Sequence, residues 1–94
     1  MSKRDAYIAK VKLQLDELNE DIGKLEAKAQ EAKEEARAKY REEVLKLRHQ
    51  SGLAVAKLDE IRAAGEESWE TMVAEMEKIR DAFVHSFRYF KSQL

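Results

Sequence analysis

The chain has 94 residues, no cysteine and no proline, and its 18 basic and 19 acidic side chains leave a formal net charge of -1. That length allows one domain with a small core, the charge gives no field to draw the protein onto nucleic acid, and the lack of cysteine excludes disulfides, thiolate metal sites and thiol nucleophiles. Three glycines and 39% charged residues, with Ala, Leu, Glu, Lys and Arg dominant, make up the composition of long helices and coiled coils. The start, "MSKRDAYIAK", has basic residues but no apolar run behind them, and no stretch approaches the ~20 apolar residues that span a bilayer. The expectation is a cytoplasmic all-α protein.

In chain order, a first helix is predicted over about residues 3–63. Ile8, Val11, Leu15, Leu18, Ile22 and Leu25 follow alternating steps of three and four, continued by Ala29, Ala32 and Ala36, and so share one helix face as a coiled-coil seam. Glu20 with Lys24, Glu35 with Lys39 and Glu42 with Lys46 stand at i,i+4 and read as a solvated face, at ~0.2–0.5 kcal/mol per pair. After Ala36 the stripe steps by four to Tyr40 and Val44, then by three to Leu47. That drift reads as a relaxed supercoil within a continuing helix.

Two glycines offer a turn. At "RAAGEESWE" a base precedes Gly65 and Glu66, Glu67 and Glu70 follow it, the charge order of one helix ending and another beginning; the apolar stripe also jumps from Ile61 to Trp69. A turn over about 64–66 is predicted there, with a second helix over about 67–92. The alternative is a turn at 50–53, where Gly52 could take a left-handed C′ conformation after Lys46, Arg48 and His49. A turn at Gly52 would lay Trp69 against the alanines near Ala32 and Ala36. A turn at Gly65 leaves the Ile8–Leu25 seam for another chain, and so demands an oligomer.

The second helix carries its own stripe of Trp69, Met72, Met76, Ile79, Phe83, Phe87, Phe90 and Leu94, rich in aromatic and sulfur-bearing side chains. Its charges are uneven. Residues 57–77 hold Lys57 and Arg62 against seven acids, while residues 78–94 hold Lys78, Arg80, Arg88 and Lys91 against Asp81 alone. The four basic residues complement the C-terminal helix dipole. They also suit an alternative in which a released helix lies on an anionic membrane surface.

"KRDAYIAKVKLQLDELNEDIGKLEAKAQEAKEEARAKY" followed by "KLDEIRAAGEESWETMVAEMEKIRDAF" resembles a group of small bacterial coiled-coil-domain proteins, some labelled as stress-response proteins. The more distinctive elements are Gln14-Leu15-Asp16-Glu17 and the tryptophan shortly after a glycine. The resemblance implies a long helix, a break before the tryptophan and a shorter amphipathic helix, and it carries no catalytic residue. Gly52 and the aromatic ending "AFVHSFRYF" depart from relatives that are richer in alanine and lysine there.

No catalytic or cofactor chemistry is readable. His49 and His85 stand far apart with no spacing that puts two ligands on one helix face. The acid pairs Glu34-Glu35, Glu42-Glu43 and Glu66-Glu67 point to different sides of a helix. There is no phosphate loop or nucleophile elbow, and none of Ser2, Ser51, Ser68, Ser86 and Ser92 has an evident base and acid partner. The expectation is therefore a long antiparallel helical hairpin that self-associates as a dimer or tetramer. It is a non-catalytic coiled-coil protein without cofactor, serving homo-oligomerisation or the docking of a helical partner. The expected interface is Ile8, Val11, Leu15, Leu18, Ile22 and Leu25, with Trp69, Met76, Phe83, Phe87 and Phe90 anchoring the return helix.

Overall fold

A computed structural model describes residues 2–94. They form three helices, α1 (Lys3–Gln30), α2 (Glu34–Ala63) and α3 (Trp69–Gln93), with no strand among the described residues. The bundle measures 51 × 19 × 18 Å. One helix of about sixty residues would be about 90 Å long, so the predicted helix over 3–63 is corrected to two that fold back on each other.

The extra break falls at Glu31-Ala32-Lys33, among residues that all favour helix. Local preference is weak against tertiary packing: an unbroken helix would leave its Ile8–Leu25 seam in water, whereas folding back buries it on α2. Charges agree with the break, because Lys28 lies in the last turn of α1 and Glu34 and Glu35 in the first turn of α2, each favourable to its own helix dipole. The last turn of α1 closes through Glu31 N–H to the Lys28 carbonyl, and α2 starts with Ala36 and Arg37 N–H donating to the Lys33 carbonyl. Arg37 Nε also donates to the Ala32 carbonyl at 2.9 Å.

The second turn does lie at Gly65. Gly65 accepts from the N–H groups of Ser68 and Trp69, and α3 starts at Trp69. No glycine has a positive φ, so this is not a left-handed glycine cap. Gly52 lies well inside α2, which removes the alternative turn at 50–53. Trp69 does not face the alanine section; it packs on Tyr7 of α1 with ring centroids 5.9 Å apart.

The three helices run up, down and up. Against α1, α2 sets Arg48 beside Glu26 at 3.2 Å, Ser51 on Asn19 at 2.8 Å and Ala64, just past its end, on Arg4 at 2.6 Å. Against α3 it sets Lys57 on Glu75, Gln50 on Ser86 and Tyr40 on Gln93. Contacts between α1 and α3 are sparse beside these two seams. Each apolar stripe fills the centre: Val11 and Ile22, Ala54 and Ile61, Met76 and Phe83 are fully buried. Burying a side chain of this kind contributes about 1.5–3 kcal/mol for the larger ones.

Candidate interaction surface

Every residue of the expected interface has been drawn into the core of a single chain. Ile8, Val11, Leu15, Ile22 and Leu25 are buried and Leu18 packs half-buried against them; Trp69, Met76, Phe83, Phe87 and Phe90 are buried from the other side. The seam read as open to another chain is covered by α2 and α3 of its own. The requirement for an oligomer, which followed from an uncovered seam, lapses with it.

The basic set is dispersed. Lys78, Arg88 and Lys91 are exposed, whereas Arg80 is half-buried, within 3.1 Å of Glu77 and 3.3 Å of Asp81, and donates to Gln14 of α1 at 3.4 Å. Arg88 and Lys91 line the groove between α1 and α3 together with Glu17 and Asp21. Phe83, Phe87 and Phe90 are buried in the core, with Phe87 at the floor of that groove; of the aromatic residues near the end of α3, Tyr89 alone is exposed.

Polar groups lock the helices at mid-height. Ser51, the only buried polar residue among those described, donates to Asn19 Oδ1, and Asn19 Nδ2 returns to the Leu15 carbonyl at 3.0 Å. Gln50 Nε2 donates to Ser86 Oγ at 3.0 Å on the other side of α2. Polar pairs at least half-buried between helices select one register, since a slip strands them without partners. Sequence reasoning passed over these serines when it looked only for catalytic partners. The signal was a serine standing where the apolar stripe of α2 requires a large side chain.

Charge pairs hold the rim. Lys57 Nζ lies 2.7 Å from both Glu60 and Glu75; these hydrogen bonds hold the Lys57 ammonium above its ordinary pKa and the Glu75 carboxyl below its own. Burial, reinforced by the negative charge of Glu77, raises the Tyr7 phenol. At the top of the bundle Arg4 donates to the Ala64 carbonyl and stands 3.8 Å from Glu66, tying the start of α1 to the second turn.

What remains outside is a set of large apolar side chains that the core does not use. Leu45 is 64% exposed, Leu53 48% and Val55 42%, all on α2, with Tyr89 at 58% on α3 and Leu13 at 60% on α1. Leu45 and Tyr89 line an open groove of about 960 Å³ between α2 and α3, shared with His49, His85, Glu42 and Glu43. The two histidines, remote in sequence, thus line one groove, because α2 and α3 run antiparallel. Among the described residues no three His, Asp or Glu side chains are grouped to hold a metal, and no helix is long and apolar enough to cross a membrane.

No protein-family model, curated protein or solved structure matches this chain.

Proposed function

We propose that this three-helix bundle is a non-catalytic protein–protein interaction module. It docks helices, from a second copy or another protein, on the outward side of α2 and the adjoining α2–α3 groove. The observation that carries this reading is the exposure of Leu45, Leu53, Val55 and Tyr89 on a chain whose core is already filled. Scattered surface apolar side chains are ordinary; Leu45 and the exposed Tyr89 in one groove, with Leu53 two turns further along α2, are exposure of the kind that marks contact sites. The antiparallel pairing of α2 with each neighbour, in coiled-coil style, presents that side as a rigid ridge. A place in stress tolerance rests on the resemblance to stress-labelled bacterial proteins.

The test is affinity capture from the native cell, comparing the native chain with a Leu45→Glu, Leu53→Glu double variant of equal helicity. Partners retained by the native chain and lost by the variant are expected. Identical capture by both would remove this surface from the function.

A further inference from the structure

At the first turn a small change of backbone separates two helices from one. Glu31, which closes α1, is already in the helical region at φ -80° and ψ -11°, and Lys33, before α2, keeps φ at -60° and departs from it through ψ at 148°. No residue there has a positive φ, and glutamate, alanine and lysine all favour helix. The N–H groups of Lys33, Glu34 and Glu35 have no backbone partner among the described residues. In a continuous helix they would donate to the carbonyls of Ala29, Gln30 and Glu31. The second turn is held differently, since Arg4 reaches it from the start of α1 through the Ala64 carbonyl and Glu66. At the first turn the Ala32 carbonyl is held only by Arg37, close by in sequence.

We infer that the chain exchanges α1 with a second copy of itself, using residues 31–33 as the hinge. With that turn straightened, α1 and α2 run on as one helix, α1 of each copy lies on α2 of the other, and each α2–α3 hairpin stays as it is. The contacts that hold α1, Arg48 with Glu26, Ser51 with Asn19, Tyr7 with Trp69 and Arg4 with Ala64, are then made again between chains. The dimer needs no new surface, and it is separate from docking on the outward side of α2. A short connection that the chain itself prefers as helix is what invites such an exchange.

The hinge also fits the crossing it would create. Ala29, Ala32 and Ala36 continue the α1 stripe by steps of three and four, so the straightened helix keeps its apolar face in phase and presents small side chains where the two long helices pass. The exposed residues around them, Glu31, Lys33, Glu34, Glu35, Arg37 and Lys39, carry both signs in equal number, so no net charge drives two copies apart there. Helix hydrogen bonds gained at the hinge favour the dimer, and the lost freedom of a second chain opposes it. Concentration decides between the two forms.

Refolding from urea tests the exchange, because a folded monomer must open before α1 changes partner. The whole chain is refolded in the low micromolar range and at hundreds of micromolar, and each product is sized by sedimentation velocity. A monomer is expected from the dilute refolding and a dimer from the concentrated one. Glu26→Cys with Arg48→Cys, in a chain that has no cysteine of its own, identifies the dimer. A short bis-maleimide should join the two sites within one chain in the monomer and between chains in the dimer, giving a covalent dimer on a denaturing gel. Glu34→Pro suits the extended Lys33 of the turn but breaks a continuous helix; it should leave the monomer folded and cut the dimer fraction at least tenfold. A chain monomeric after both refoldings overturns the exchange, as does a dimer that Glu34→Pro leaves undiminished. A dimer cross-linked only within its single chains overturns it too and places association on an outer surface, so that this inference falls while the interaction-module reading stands.

Discussion

At residues 31–33 the chain turns on glutamate, alanine and lysine, with no glycine and no side-chain cap on α2; at 64–68 it turns through glycine and serine, clamped by Arg4 and covered by Tyr7 and Trp69. The first reversal is dictated from a distance, by the burial of the α1 and α2 stripes on each other. The second is dictated locally as well. Both bring helices together equally well, which teaches that a turn in a bundle needs no signal of its own when the faces beside it leave no other way to be buried.

The largest expected effect tests the two ends of the bundle. Trp69 packs on Tyr7 beside the second turn, and Phe90 on Tyr40 at the far end, with centroids 5.8 Å apart. Trp69→Ala and Phe90→Ala should each cost about 3–5 kcal/mol by the usual range for large aromatic core deletions, read by urea unfolding. If only Trp69→Ala were costly, the end with the uncapped turn would not be closed by its aromatic pair.

Next comes Arg4, whose hydrogen bond to the Ala64 carbonyl reaches the second turn from another helix, whereas at the first turn the Ala32 carbonyl is held only by Arg37, five residues on. Arg4→Met should lower stability by about 1.5 kcal/mol, the lower range for a hydrogen bond to a charged group, and should speed hydrogen exchange around residues 64–68 while leaving 31–33 alone. Equal protection changes at both turns would show that the clamp is not local.

Smaller and opposite in sign is the proline test of the turn that has no marker. Glu34 is the first residue of α2, and Lys33 before it is already extended at φ -60° and ψ 148°, the conformation that a following proline requires. Glu34→Pro should therefore be neutral or add about 0.4–1 kcal/mol. In a continuous helix over 3–63 the same change would cost about 3 kcal/mol, so a large drop in thermal midpoint would restore the single helix. Gly65→Ala belongs to the same class: its φ is not positive and an added Cβ meets nothing, so a small gain is expected at the marked turn too.

The smallest effect is electrostatic. Because Lys57 depresses the Glu75 carboxyl in the folded state, the contribution of that contact is present above the ordinary carboxylate value of about 4.3 and is lost as pH falls through the lower folded value. The stability difference between the native chain and Lys57→Met should therefore vanish in acid. A difference that persists at pH 2 would mean that Lys57 acts through packing of its aliphatic stem.

Much of this was legible in the order of residues. The two apolar stripes, from Ile8 to Leu25 and from Trp69 to Phe90, name most of the core, because helical periodicity reports which face is buried whatever covers it. The break at Gly65 was legible from charges and from the jump in the stripe. Unreadable was the identity of the cover: a seam looks the same whether its partner is another chain or the next helix, and the alanine, lysine and glutamate of 31–33 carry no stop signal. The step from Ala36 to Tyr40 and Val44 was the trace of the missed turn, since a phase change in a stripe also marks the start of a new helix. Leu45, Leu53 and Val55 could be placed outside only once the buried face of α2 was fixed. That His49 and His85 line one groove needed the antiparallel packing of α2 and α3.

The sparse contact between α1 and α3 has a kinetic consequence. Each strong seam joins helices adjacent in sequence, and only the weakest joins the two ends of the chain. Contact order is low, so little loop entropy is lost before favourable contacts form, and such bundles fold in microseconds to milliseconds. With α2 as the shared surface, either hairpin can form first, and the remaining helix then docks on a template already made.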